Sequence, residues 1–206
     1  RPAAIEDAYK ARHRFRSEEA LVLQTALARR HAFTAEQDAT SRPPRPGGLL
    51  EAFDAALPFT LTEGQASIGA ELAADLAKPH PMNRLLQGEV GSGKTLVALR
   101  AMLQVVDAGG QAALLAPTEV LAAQHYASIT RTLGPLAQAG MLGGSETATR
   151  VTLLTGSMSA AQRKSALLEA ASGSAGIVIG THALLSEHVQ FADLGLVVVD
   201  EQHRFG

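Results

Sequence analysis

Residues Gly88 to Thr95 read Gly-Glu-Val-Gly-Ser-Gly-Lys-Thr, the spacing G-x-x-x-x-G-K-[ST] of a phosphate-holding turn. Glycines at 88, 91 and 93 permit backbone angles that aim successive amides at an anion, with Ser92 inside the same turn. A helix starting near Lys94 adds its positive end. Lys94 then brings a charge for the outer phosphates of a triphosphate, and the Thr95 hydroxyl suits a magnesium ion. Far along the chain, the apolar run Leu194 to Val199 ends in Asp200-Glu201-Gln202-His203. A buried strand ending in two acids delivers both to the carboxyl edge of a sheet, where the glycine turn also belongs. There Asp200 is expected to hold Mg2+ through water and Glu201 to polarise an attacking water. Lys94, Asp200 and Glu201 are therefore the candidates for chemistry on a nucleoside triphosphate.

Composition sets the frame for these residues. The 206 residues are 46% hydrophobic, enough to bury a core in one or two domains. No apolar run approaches the ~20 residues of a membrane-spanning helix, and the polar start lacks a signal-like core. Zero cysteines exclude disulfides and thiolate metal sites, and the expected setting is cytoplasmic. A net charge of −2 offers no global basic field for nucleic acid. The charge is uneven: residues 1–45 carry nine Lys/Arg against six Asp/Glu, and residues 46–206 carry nine against fourteen. The basic end reads most simply as a solvated helix face. His80, His125 and His182 show no metal-ligand spacing.

The elements that must position the candidates follow from periodicity and punctuation. Ala3 to Thr34 predicts one or two helices with an apolar stripe of Leu21, Leu23, Ala26, Leu27 and Ala28. Ser41-Arg42-Pro43-Pro44-Arg45-Pro46-Gly47-Gly48 breaks the helix and reads as a linker, so residues 1–48 form a helical segment with linker and 49–206 the main domain. Beyond it, helices are expected over Leu49 to Ala56 and Glu63 to Leu76, the latter capped by Thr62. A brief strand Arg84 to Gln87 should lead into the glycine turn, followed by a helix from Lys94 to Asp107. Ala112 to Ala116, Val151 to Thr155, Ile177 to Gly180 and Leu194 to Val199 read as strands. Val120 to Leu133 and Ser159 to Ser172 read as helices between them. Short strands that are apolar throughout, alternating with helices, argue an α/β fold: a parallel sheet covered on both faces. Gly140 to Arg150 reads as a surface loop.

Four segments now carry a resemblance. Gly-Glu-Val-Gly-Ser-Gly-Lys-Thr at 88, Ala-Pro-Thr-Glu-Val-Leu-Ala-Ala-Gln-His-Tyr at 116, Ile-Gly-Thr-His-Ala-Leu-Leu at 179 and Asp-Glu-Gln-His-Arg-Phe-Gly at 200 resemble superfamily 2 DNA translocases, specifically the RecG-like helicases. Pro58-Phe59-Thr60-Leu61-Thr62 leading to Gln65 is similar to that family's adenine-sensing segment, so the likeness spans about residues 49 to 206. The helical segment before the linker is only loosely similar to the family's connection to an N-terminal DNA-binding wedge.

The resemblance implies a RecA-like first helicase lobe that binds ATP with Mg2+. Gln65 would read the adenine edge, with Phe59 or Leu61 against the ring. Thr118, beside Pro117 and Glu119, and Thr181 match segments that touch the DNA backbone, where hydroxyls and helix-start amides suit phosphate contacts blind to sequence. Gln202 and His203 match positions that couple nucleotide state to DNA grip. Glu89 stands where relatives commonly carry Asp, and Gly140 to Arg150 is longer than usual. The implied partners are branched DNA, a wedge domain and a second lobe bearing an arginine finger, with no membrane. Nothing follows Gly206 here, so the chain is expected to bind nucleotide weakly and to hydrolyse it poorly, an arginine finger being worth roughly a thousandfold or more. Alternatives are a transcription-repair coupling translocase, a nucleotide-gated binding module without motor action, and an inert phosphate-loop fold. In this last case Lys94→Ala would leave nucleotide binding unchanged.

Overall fold

A four-stranded, wholly parallel sheet in the order β2-β3-β1-β4 organises the chain, with β1 spanning Gln111–Leu115, β2 Val151–Leu154, β3 Ile177–Gly180 and β4 Leu194–Val199. The helices are α1 (Pro2–Ala35), α2 (Leu49–Ala56), α3 (Glu63–Leu76), α4 (Lys94–Asp107), α5 (Glu119–Leu133) and α6 (Ala160–Ser172). The structure, a computed structural model, describes residues 2–89, 91–140 and 147–201. It divides into two units, residues 1–40 with 79–82 and residues 41–78 with 83–206.

The first unit is built on α1, one unbroken helix of 34 residues. Arg14 Nε donates to Glu18 Oε1 at 2.8 Å, an i,i+4 pair of the kind that supports an exposed helix. The expected apolar stripe is not a single face: at 3.6 residues per turn Leu21 and Leu23 lie roughly 200° apart, and both are exposed. The Ala39 amide donates to the Pro79 carbonyl at 3.0 Å, which brings residues 79–82 into this unit.

In the second unit the two interior strands, β1 and β3, are buried along their whole length, as their apolar sequences require. Period-two alternation sends Ala112, Leu114, Ile177 and Ile179 to one face, against Leu99, Met102 and Leu103 of α4 and Ala122 and Ile129 of α5. Ala113, Leu115 and Val178 point to the other face, against Ala166 and Ala170 of α6 and Leu184. Both faces are therefore covered, as expected of a RecA-like lobe. Each fully buried Leu or Ile contributes about 1.5–3 kcal/mol to holding these layers together.

Buried polar side chains fasten the layers. Gln104 Nε2 donates to the Arg42 carbonyl at 2.7 Å and to that of Ala73 at 3.1 Å, joining the linker, α3 and α4. Gln111 Nε2 reaches the Ala170 and Ala175 carbonyls while its Oε1 accepts from the Asp193 amide. Asp107 substitutes for a missing cap on α2: Gly48 has no side chain, and the Asp107 carboxylate accepts from the amides of Leu49 at 2.6 Å and Leu50 at 2.9 Å. The linker itself is strapped down, since Arg42 N donates to the Leu76 carbonyl and the Arg42 guanidinium pairs with Asp193 at 2.7 Å. Ser41 to Gly48 accordingly belongs to the second unit.

Two further expectations are corrected. Arg84 to Gln87 is not a strand; among the described residues it has no ladder partner, Leu85 is 70% exposed, and the Arg84 side chain is held by Asp75. Leu194 to Val199 is a strand but not a buried one. It stands at the end of the sheet order, where Leu194, Val197 and Val199 are all more than 40% exposed. The surface loop expected over Gly140 to Arg150 lies largely outside the described residues.

Candidate functional site

The glycine turn ends in the helix its sequence demands. Gly93 has φ +84° and stands as the residue before α4, and Gly91 has φ +82°, both in the left-handed region that an L side chain resists. The turn is also too tight for side chains. A Cβ on Gly88 would lie 2.7 Å from Ser92 Oγ, and one on Gly93 would collide with Gln65 Nε2. The first amides of α4, at Lys94 and Thr95, cannot be satisfied within the helix. They face the same end of the molecule as the helix's positive pole, so the cradle fits an anion. Lys94 Nζ folds over the turn and donates to the carbonyls of Gly88 at 2.7 Å and Glu89 at 2.8 Å.

Gln65 is fixed against this turn. Thr62 and Gln65 form a reciprocal cap on α3: Thr62 Oγ1 accepts from the Gln65 amide, and Gln65 Oε1 accepts from the Thr62 amide. That leaves Gln65 Nε2 to donate to the Ser92 carbonyl at 3.0 Å. Phe59, three residues before the cap, is 55% exposed.

The acids arrive from the far edge of the sheet. The Asp200 amide donates to the Leu115 carbonyl at 2.9 Å, extending the β1–β4 ladder by one residue and fixing the acid's backbone. Glu201 follows at φ +49°, an uncommon conformation for a residue with a side chain and one that costs energy wherever it is held. Thr95, Asp200 and Glu201 line one open cleft of about 490 Å³ together with Leu121, Gln124, His125 and Ser128 of α5. Thus the hydroxyl and both carboxylates, drawn from segments over a hundred residues apart, share one space. Gln202 and His203 lie outside the described residues.

Three loops leave the carboxyl ends of β1, β2 and β3 beside one another. Thr118 caps α5, its Oγ1 accepting from the Leu121 amide at 3.2 Å, and it remains exposed. Thr181 is only 4% exposed and caps the 3-10 turn at His182–Leu185, so its hydroxyl shapes its loop from within.

Two contacts were not foreseen. Glu119 Oε1 accepts from the amides of Gly156 at 2.7 Å and Ser157 at 3.1 Å, latching the loop after β2 to the start of α5. The Ser157 side chain and these amides hold the Glu119 carboxyl below the ordinary glutamate range. His125 Nε2 lies 2.7 Å from Asp200 Oδ2. The only hint of the second contact in the sequence is that His125 follows Thr118 by seven positions, two turns along one helix face.

The DEAD/DEAH box helicase family matches residues 64–206. The chain is 56% identical over 200 residues to the ATP-dependent DNA helicase RecG of Mycobacterium leprae, covering 97% of this chain and 27% of that protein. It is 60% identical over 198 residues to RecG of Mycobacterium bovis, covering 96% and 27%. Synechocystis RecG is 44% identical over all 206 residues, which cover 23% of it. A solved structure described as RecG bound to a three-way DNA junction superimposes with a TM-score of 0.80 at 38% identity, covering 92% of this chain and 24% of that one. The chain spans about a quarter of the length of the curated relatives it matches.

Proposed function

The chain belongs to the DEAD/DEAH box helicase family, and on that premise we propose that it is the ATP-binding lobe of a motor that remodels branched DNA in recombination and repair. The observation that carries the reading is the convergence of Thr95, two residues past the last glycine of the turn, with Asp200 and Glu201 on one cleft. Relatives along nearly the whole chain are named as ATP-dependent DNA helicases, and a similar structure is described as bound to a three-way DNA junction.

In this reading the amides of the turn and of the first residues of α4 hold the phosphates, with Lys94 leaving its two carbonyls to neutralise them. Thr95 and Asp200 hold Mg2+, which supplies charge neutralisation on the phosphates when bound. Glu201, fixed in its left-handed turn, accepts a proton at its carboxylate from the attacking water. Gln65, pinned by the Thr62 cap beside Ser92, recognises the adenine, and the exposed Phe59 covers the ring. Thr118 offers its hydroxyl to a DNA phosphate, while Thr181 sets the neighbouring loop. Gln202 and His203 relay nucleotide state to DNA grip. A second lobe bearing an arginine and a DNA-binding wedge complete the motor, and opening and closing of the cleft between lobes advances the DNA.

The test is titration of the 206-residue chain with a fluorescent ATP analogue and magnesium, comparing wild type with Lys94→Ala. A loss of affinity of tenfold or more, about 1.4 kcal/mol, is the expected result. Equal binding by the two proteins would remove the central site.

A further inference from the structure

We propose that His125 is a positioning residue that ties the DNA-facing start of α5 to the acid at the end of β4, so that DNA held at Thr118 changes the affinity of the cleft for nucleotide. The inference rests on the functional reading just given. Four observations carry it. His125 Nε2 lies 2.7 Å from Asp200 Oδ2, and because a carboxylate only accepts, the ring nitrogen donates. The His125 side chain is 17% exposed and that of Asp200 34%, so the bond is partly shielded from water. The Asp200 backbone is already fixed through its amide to the Leu115 carbonyl, which leaves the orientation of the carboxyl as the freedom that His125 removes. Finally, α5 is a stiff connection: Ala122, Ile129 and Leu133 bury one face of it in the core, and Glu119 latches its first turn to the loop after β2.

Thr118 and His125 are seven residues apart, about 10.5 Å along the helix axis. A shift of the first turn of α5 toward a bound phosphate therefore moves the imidazole by a similar amount. The Asp200 carboxyl must follow it or lose its hydrogen bond. Because Thr95 lines the same cleft as Asp200, this changes how well the pair can share a metal ion. Linkage makes the effect reciprocal: nucleotide in the cleft alters DNA affinity by the same factor.

The experiment measures, in the full-length protein, the Kd of a non-hydrolysable fluorescent ATP analogue with magnesium, in the presence and absence of a three-way DNA junction. Wild type is expected to show a ratio of at least about fivefold between the two. His125→Ala should bring the ratio to within about twofold of unity, whatever the affinity of the variant for nucleotide alone, and His125→Gln, which can present an amide N–H near the same place, should recover part of it. His125→Leu fills the site without a donor and gives the same reading should the alanine variant fail to fold. A ratio that survives in His125→Ala or His125→Leu overturns the proposal, as does a wild type that binds both ligands without coupling. Failure of wild type to bind the nucleotide analogue at all would instead overturn the functional reading beneath it.

Discussion

Arg42 shows how much a single residue of an apparent linker can hold. Its side chain is almost wholly buried, pairs with the half-exposed Asp193, and lies where Gly110 and Gly195 have no Cβ. A Cβ on Gly110 would stand 2.6 Å from Arg42 Cζ, and one on Gly195 would press on both Arg42 and Val105 Cγ1, the latter at 2.7 Å. The two glycines thus form a slot for a guanidinium at the amino-terminal end of the sheet, opposite the end that carries Asp200 and Glu201. Gly195→Ala is expected to destabilise the fold by about 1–3 kcal/mol, the usual cost of overfilling a packed site. If the slot exists to admit Arg42, part of that cost vanishes in an Arg42→Ala background. Urea unfolding of the two single variants and the double variant should show non-additivity of at least about 0.5 kcal/mol. Strict additivity would mean that the Val105 contact alone explains the glycine.

Secondary elements were legible where local chemistry and tertiary context agreed. The α3 cap was readable because Thr62 and Gln65 sit three residues apart, and β3 because Ile177 to Gly180 is apolar and bounded by glycines. Asp200 and Glu201 were readable because β4 delivers its last residues to the carboxyl edge of a parallel sheet, whereas Thr95 reaches the same cleft from the first turn of α4 and not from a strand end. Arg84 to Gln87 misled because a strand is made by its partner, and no local pattern supplies one. The link between α5 and the loop after β2 was hidden for a similar reason: Glu119 reaches residues 37 and 38 positions away. That latch makes a prediction. Since the native environment lowers the Glu119 pKa, its stabilisation is complete above the ordinary glutamate value and is lost as pH falls through the depressed one. Glu119→Gln should therefore be less stable than wild type at neutral pH, and the difference in chemical-denaturation midpoint should close as pH is lowered below the ordinary glutamate range. Asp75, also lowered by hydrogen bonds from Lys78 and Arg84, titrates in both proteins and cancels from the comparison. A difference that persists unchanged at low pH would show that the carboxylate charge is not what holds the loop.

At the scale of the molecule, stability and function draw on opposite sides of the sheet order. β3 and β1 are enclosed by α4, α5 and α6, and Leu103 of α4 is completely buried against them. β4 carries the acids but pairs with β1 alone among the described strands, leaving its outer edge unpaired and Val197 and Val199 on an exposed face. The strand that presents Asp200 is thus the least enclosed part of the sheet, held by its ladder to β1 and by the His125 contact at its end. Leu103→Ala should cost about 2–5 kcal/mol in urea unfolding, because it removes a core side chain and leaves a cavity. Val197→Lys should cost no more than about 0.5 kcal/mol, as for other surface substitutions. The same lysine should reduce self-association of the isolated 206-residue chain, since an open apolar edge is a template for pairing and a charge on it interrupts that pairing. Sedimentation at rising concentration, read beside the unfolding curves, separates the two effects. A Val197→Lys protein as destabilised as Leu103→Ala would mean that β4 is enclosed in solution, and the division between a buried scaffold and an exposed, acid-bearing strand would fail.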